Sequence, residues 1–346
     1  MTSAATSSFA YVPHPKPTSA EQRAALLADP GFGRVFTDHM VTIRYSQAQG
    51  WHDAKVEPRG PIPMDPASSV LHYAQEIFEG MKAYRTADGG TALFRPEENA
   101  RRFQDSARRM AMAELPETLF VEAVEKLIDI DRDWIPDGEG SLYLRPFMFA
   151  TEVFLGVKPA SEYLFVVLAS PVGAYFKNKA SAISVWVSET YTRAALGGTG
   201  AAKCGGNYAA SLLAQSEAIA HGCDQVVFLD AVERRWVEEL GGMNVFFRMD
   251  DGSLQTPPLG GTILPGITRN SIITLARDQG ITVREEPYSL DQWRADAAGI
   301  GTVRTASGDF TIGNGAEGET TEQLRNALIG IQRGRTADPY GWVRPV

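Results

Sequence analysis

Cysteine is nearly absent from this chain: its 346 residues include two, Cys204 and Cys223. Their spacing matches neither CxxC nor a thiolate metal set, which removes a disulfide framework and fits a reducing compartment. The five histidines (His14, His39, His52, His72 and His221) stand at no ligand spacing, so a zinc site has no donors. Positive charge is short as well. Lys and Arg number 33 against 42 Asp and Glu, and the net charge of −9 argues against a polyanionic partner such as nucleic acid. No apolar run is long enough to span a bilayer. There is no internal repeat and no low-complexity tract. Met1 to Ser19, rich in Ser, Ala, Thr and Pro, lacks the basic and apolar regions of a signal peptide. Residues 1–20 are therefore expected to form a loose arm on a cytoplasmic protein.

What is present is a soluble globular composition, 44% hydrophobic and 22% charged, in a length that favours about two domains. The most informative stretch is Gly197-Gly198-Thr199-Gly200-Ala201-Ala202-Lys203-Cys204-Gly205-Gly206-Asn207-Tyr208. It places one lysine among glycines, between a strand-like run (Ala182 to Val187) and a helix-like run from Asn207 to Ala220. Glycine there permits close approach of another group. A lysine crowded by backbone loses its charge readily, which suits Schiff-base chemistry. A phosphate loop is excluded, because it needs Gly before the lysine and Ser or Thr after it, and the neighbours are Ala202 and Cys204.

In chain order, alternation predicts strands at 40–45, 91–95, 141–150 and 163–169, with helix-like sequence running into a strand over 71–84. Helices are expected at 99–113 and 120–131. The arginines of the first, Arg101, Arg102, Arg108 and Arg109, read as a solvated face. These make a small α+β domain over 1–170. Residues 171–182, with Pro, Gly and two aromatics, read as an interdomain linker. A large cofactor-binding domain follows over 183–346. It has strands at 184–189, 224–229 and 235–239, a hairpin around Asp250-Asp251-Gly252, and a helix running to Gln279.

Six motifs recur in family-like order: Tyr73 with Phe78-Glu79-Gly80; Leu142-Tyr143-Leu144-Arg145-Pro146; Pro171-Val172-Gly173-Ala174-Tyr175-Phe176; the lysine loop; Glu238-Glu239-Leu240-Gly241-Gly242-Met243-Asn244; and Leu264-Pro265-Gly266-Ile267-Thr268-Arg269. With them the chain resembles the branched-chain amino-acid aminotransferases, over nearly its whole length. The resemblance implies the two-domain, D-amino-acid-aminotransferase-like architecture of fold-type IV pyridoxal-phosphate enzymes. It implies pyridoxal 5'-phosphate carried as a Schiff base on Lys203, whose amine then shuttles a proton. It further implies Glu239 on the pyridine nitrogen, Tyr208 on the phenolic oxygen, and Arg102, Ile267 and Thr268 on the phosphate. Arg193 is a further candidate beside the cofactor. Glu238 is expected to face the other side of its strand. Phe78, Tyr143 and Tyr175, with Val157 from a partner chain, would wall an apolar pocket between the domains and at a dimer interface. Tyr73 and Arg145 would receive the side-chain carboxylate of glutamate. The implied reaction is transamination of L-leucine, L-isoleucine and L-valine with 2-oxoglutarate, in a homodimer that uses glutamate and 2-oxo acids and binds neither nucleic acid nor membrane.

The pattern breaks once. The family carries two short strands around a Gly-Thr-Ala turn where this chain runs almost directly from Gln292–Gly299 into Ile300–Phe310. About fifteen expected residues have no counterpart. Gly301-Thr302-Val303 reads as a remnant of the turn, and lost central strands would expose ladder groups and open a cavity. The alternatives kept open are a pyridoxal-phosphate-binding homologue without catalysis, a D-amino-acid aminotransferase and an aminodeoxychorismate-lyase-like enzyme.

Overall fold

The computed structural model describes residues 9–173, 183–297, 299, 301–313 and 317–346. The chain divides into two compact units, residues 1–177 with 330–346, and residues 178–329.

The first unit is built on a sheet whose strands, in spatial order, are Ala10–Tyr11, Gly50–Pro58, His39–Ser46, Glu162–Val172, Ser141–Ala150, Met81–Arg85, Thr91–Phe94 and Val343–Pro345; Glu76–Phe78 pairs beside Ser141–Ala150. Helices Pro96–Arg109 and Glu117–Ile130 bring Phe103 and Phe120 against Phe165 of the sheet, with ring centroids 5.3–5.9 Å apart. Such aromatic clusters dominate core energetics through buried area. As expected, Arg101 and Arg108 lie half exposed and pair with surface acids, whereas Arg102 turns inward.

Three expectations change in this unit. Within the N-terminal arm, Ala10–Tyr11 adds a parallel edge strand on Lys55 and Val56, and Ser19 opens helix Ala20–Ala28 through a reciprocal capping box with Gln22. Pro171 and Val172 continue a strand, paired with Leu142 and Ser141, instead of starting a linker. The C-terminal segment does not stay with residues 183–329: Val343–Pro345 pairs with Phe94, Leu93 and Ala92, and Trp342 packs on Phe94 at 5.6 Å. A free sheet edge is a template for such an addition.

The second unit holds a five-stranded sheet in the order Val237–Leu240, Gln225–Leu229, Val185–Ser188, Gly301–Thr305, Phe310–Ile312. The three inner strands are parallel, and helix Gly205–Ala220 lies between the first two of them in the chain. That connection is the usual crossover for parallel strands. A smaller sheet, Phe247–Arg248, Leu254–Thr256 and Val283–Glu285, includes the expected hairpin. The short segment after residue 297 closes the larger sheet. Gly301-Thr302-Val303 is strand, not turn, and Val303, Arg304 and Thr305 pair with Val185, Trp186 and Val187. Val303 is fully buried with Val187, Val227, Leu229 and Trp293. Gly301–Thr305 is paired on both sides, by Val185–Ser188 and by Phe310–Ile312, so the expected exposed ladder is absent among the described residues. An alternating Thr-Val-Arg-Thr run supplies one apolar side chain at the position that matters.

Candidate active site

The lysine loop begins soon after the parallel strand Val185–Ser188 and ends at a helix start. Cys204 caps helix Gly205–Ala220 with extended backbone, so Lys203 sits one residue before the N-cap. Its Nζ donates to Tyr208 Oη at 2.7 Å and lies 5.2 Å from that ring's centroid. Tyr208, on the first helical turn, is thereby fixed to the lysine by local geometry. The loop is pinned from inside by Asn207, which is buried. Its Nδ2 donates to the carbonyls of Thr199 and Ala202, both at 2.8 Å, and its Oδ1 accepts from Thr199 Oγ1 at 2.7 Å. The loop is pinned from outside at Gly200. A Cβ there would stand 2.2 Å from the Thr262 carbonyl oxygen, so only glycine permits this approach. Beside it, Ala201 N donates to the Gly261 carbonyl at 3.1 Å.

Strand Val237–Leu240 supplies the acid. Its register against Gln225–Leu229 pairs Val237 with Leu229 and Leu240 with Val227, so Glu238 and Glu239 together oppose Phe228. This bulge overturns the expectation that the two glutamates face opposite ways. Both are buried, and both meet the 262–264 segment. Glu238 Oε1 accepts from Thr262 Oγ1 at 2.6 Å, and Glu239 Oε1 accepts from Leu264 N at 3.0 Å. Arg193, 5% exposed, reaches Glu239 Oε1 at 2.8 Å. Burial pushes the Glu239 carboxyl up to about 7, against the pull of Arg193, the Leu264 amide and Lys203. Burial also raises Glu238.

Helix Ile267–Asp278 follows Gly266, its N-cap residue. Asn244 Nδ2 ties this entry to the acid, donating to Leu264 O at 3.0 Å and Glu239 Oε2 at 3.3 Å. A Cβ on Gly266 would fall 2.0 Å from Asn244 Oδ1. Ile267 and Thr268 are the first two helical residues, where backbone amides point outward and the helix dipole favours an anion.

In the first unit, Tyr143 and Arg145 share one face of strand Ser141–Ala150, while Leu142 and Leu144 are buried on the other. Arg145 Nη2 donates to Tyr143 Oη at 2.9 Å, and its guanidinium lies 4.7 Å from the Phe78 ring centroid. These three residues form one cluster. Arg145 Nε is buried without a hydrogen-bond partner among the described residues. Phe32 packs edge-on against Tyr143 at 5.3 Å. Tyr73, partly exposed, donates its hydroxyl to the Leu155 carbonyl; Leu71, Val153, Leu155 and Val157 are exposed as well. Arg102 forms a two-pronged pair with the fully buried Glu79, Nε to Oε1 and Nη2 to Oε2, each 2.8 Å; Asn99 Nδ2 joins Oε2 at 2.8 Å. Tyr175 lies outside the described residues.

The second unit thus unites Lys203, Tyr208, Glu239, Arg193 and the Ile267–Thr268 helix start. Asn207, Asn244 and Glu79 lie in quoted motifs but were assigned no role from the sequence, and Phe32 lies in none of those motifs. Thr262 carried no signal at all. An amine, a phenol, a buried carboxylate and an anion-favouring helix start are the donors that pyridoxal phosphate requires: a carbonyl carbon for the amine, a phenolic oxygen, a ring nitrogen and a phosphate. The residues present fit that group. Among the described residues no cluster of His, Cys, Asp and Glu could hold a metal ion, and no helix is long and apolar enough to cross a membrane.

Comparison with known proteins agrees. Residues 76–306 match the family model of class IV amino-transferases. A branched-chain-amino-acid aminotransferase of Mycobacterium tuberculosis is 52% identical, covering 94% of this chain and 95% of its own. Its 349 aligned positions exceed the length of this chain, so that relative carries residues with no counterpart here. The solved branched-chain amino acid aminotransferase from Escherichia coli superposes with a TM-score of 0.70 at 30% identity, over 89% of this chain and 98% of that one. A further solved branched-chain amino acid aminotransferase, from T.th. and complexed with N-(5'-phosphopyridoxyl)-L-glutamate, gives 0.68 at 27% identity, over 87% and 97%.

Proposed function

The chain belongs to the branched-chain-amino-acid aminotransferases of class IV, and from that premise we propose how its residues divide the work of transamination. It is an aminotransferase that uses pyridoxal 5'-phosphate and exchanges the amino group between L-leucine, L-isoleucine or L-valine and 2-oxoglutarate. The observation that carries this reading is the Lys203–Tyr208 contact at 2.7 Å, joined to the buried Glu239 through one pinned loop. When bound, the cofactor supplies an electron-withdrawing ring that stabilises negative charge at the substrate Cα. Lys203 Nζ would hold the cofactor covalently and, once released, would take the proton from the substrate Cα and deliver it to the cofactor's C4′. Tyr208 Oη holds Lys203 Nζ in place and meets the phenolic oxygen. Glu239, as a carboxylate, keeps a proton at the ring nitrogen. The Ile267 and Thr268 amides, the Thr268 hydroxyl and Arg102 bind the phosphate. Glu79 orients Arg102 by its two-pronged pair.

For the substrate, Phe78 and Tyr143 provide apolar wall, and Arg145 with Tyr73 receives the carboxylate of glutamate. Arg145 supports this assignment by offering a buried, unpartnered Nε beside an aromatic face. We place the enzyme in the cytoplasm as a homodimer. The exposed apolar run Val153-Phe154-Leu155 with Val157 supports a covering partner. The test is cofactor loading. Wild type should show the visible band of lysine-bound pyridoxal phosphate and Lys203→Ala should not. A wild-type protein that takes up no cofactor would refute the assignment.

A further inference from the structure

Arg193 is a buried cation of the second unit, and its partners single it out. One terminal nitrogen, Nη1, meets three acceptors: Glu239 Oε1 at 2.8 Å, the Thr262 carbonyl at 3.0 Å and the Gly200 carbonyl at 3.3 Å. Gly200 is on the lysine loop, Glu239 is in the bulge, and Thr262 is on the segment against which both are packed. A single side chain therefore ties three separate pieces of the site together.

The two oxygens of Glu239 are treated unequally. Oε1 lies 2.8 Å from Arg193 Nη1 as an ion pair and accepts a hydrogen bond from Leu264 N at 3.0 Å. Oε2 receives only the Asn244 amide, at 3.3 Å, among the described residues. A carboxylate offers about four acceptor sites, so Oε2 retains capacity for a short, charged N–H donor. The guanidinium stays charged and its planar geometry fixes the direction of its N–H groups, whereas an ammonium is a flexible point charge.

We propose that Arg193 is a positioning residue: it holds Glu239 Oε1 together with the Gly200 and Thr262 carbonyls, turns Oε2 toward the cofactor's ring nitrogen, and locks the lysine loop to the 260–264 segment before the cofactor arrives. The part concerning the ring nitrogen rests on the proposed function; the loop lock does not. Arg193 acts through Glu239 and touches no reacting atom. Loss of Arg193 leaves the carboxyl buried without its counter-charge. A carboxyl in that position takes up a proton instead of remaining charged, and can no longer hold the ring nitrogen protonated. It also leaves the Gly200 and Thr262 carbonyls without their shared donor.

The experiment uses the full chain, with Arg193→Met and Arg193→Lys each made in wild type and in Glu239→Gln. Two quantities are measured: the dissociation constant for pyridoxal phosphate at pH 8, and amide hydrogen exchange at Ala201 and Leu264 in cofactor-free protein. Arg193→Met should weaken cofactor binding roughly tenfold or more in wild type. In Glu239→Gln the same change should cost several-fold less, because only the loop lock remains to be lost. Exchange at Ala201 and Leu264 should accelerate while helix 205–220 keeps its protection. Equal losses in both backgrounds would overturn the proposal, since Arg193 would then act on the cofactor directly or through the fold at large. Unchanged exchange at Ala201 and Leu264 would overturn the loop lock. If Arg193→Met does not fold, Arg193→Lys, which keeps the buried charge, is judged by the same two comparisons. A wild type that binds no pyridoxal phosphate refutes the proposed function, and the exchange data then decide the loop lock alone.

Discussion

Glu239 makes the cofactor-free protein sensitive to pH in a direction opposite to the usual carboxylate. Most acids in folded proteins are held below their ordinary value and stabilise the fold as pH rises. Glu239 is 3% exposed and is pushed from 4.5 up to about 7, mainly by burial. An acid with a higher pKa in the folded chain binds its proton more tightly when folded. Its contribution is therefore full below about pH 4.5, declines as pH rises through 7, and is lost above that. At 1.36 kcal/mol per unit the shift corresponds to about 3 kcal/mol. The perturbation is a move from pH 5 to pH 8, and the assay is urea unfolding of cofactor-free wild type beside Glu239→Gln, whose amide has nearly the same shape and does not titrate. Other groups, Glu238 among them, are common to both proteins, so the difference isolates Glu239. Relative to wild type, the variant should gain about 2–3 kcal/mol between pH 5 and pH 8, since part of the full shift is already lost at pH 5. A difference between the two proteins that stays constant with pH would refute the reasoning, because Glu239 would then titrate alike in the folded and unfolded chain.

Three further outcomes follow from the packing. Gly200→Ala forces a Cβ to 2.2 Å from the Thr262 carbonyl oxygen. It should cost about 1–3 kcal/mol of stability and prevent cofactor loading, checked by urea unfolding and visible absorbance. Val303→Ala should cost about 2 kcal/mol, since the lost methyl groups lie in the core of the larger sheet; unchanged stability would mean that residues 301–305 do not close that sheet. Arg145→Ala should raise KM for glutamate about tenfold while leaving KM for leucine within about twofold, because it removes a carboxylate partner and spares the apolar wall. Equal changes for both substrates would remove Arg145 from side-chain selection.

Much of this arrangement was legible in the sequence, because it is local. Strand alternation placed Ser141–Ala150 and the neighbours of the lysine loop, and the Gly-rich run raised Lys203 as a Schiff-base candidate, whereas Tyr208 was picked out by the resemblance alone. Non-local pairing was not legible. The bulge that brings Glu238 and Glu239 to the same segment depends on register with Gln225–Leu229, which no spacing within Val237–Leu240 reveals. The same holds for Gly301–Thr305, whose four polar-or-small residues around Val303 read as a turn until the parallel partner Val185–Ser188 is known. Arg102 stood out as basic, but its two-pronged partner Glu79 lies in another motif more than twenty residues away. The C-terminal strand at Val343–Pro345 likewise needed the free edge at Thr91–Phe94 to be seen.

The central claim is that Lys203, Tyr208 and Glu239 form a working transaminase centre in a chain whose sheet is closed by residues 301–305. Its most direct test is the first half-reaction. Wild-type protein loaded with pyridoxal phosphate is mixed with L-leucine in the absence of any 2-oxo acid, while the visible band and the released 2-oxo acid are followed. The band should disappear, with one equivalent of 4-methyl-2-oxopentanoate released per lysine-bound cofactor, and D-leucine should leave it intact. A cofactor that is bound through Lys203 yet does not respond to L-leucine, L-isoleucine or L-valine would contradict the account.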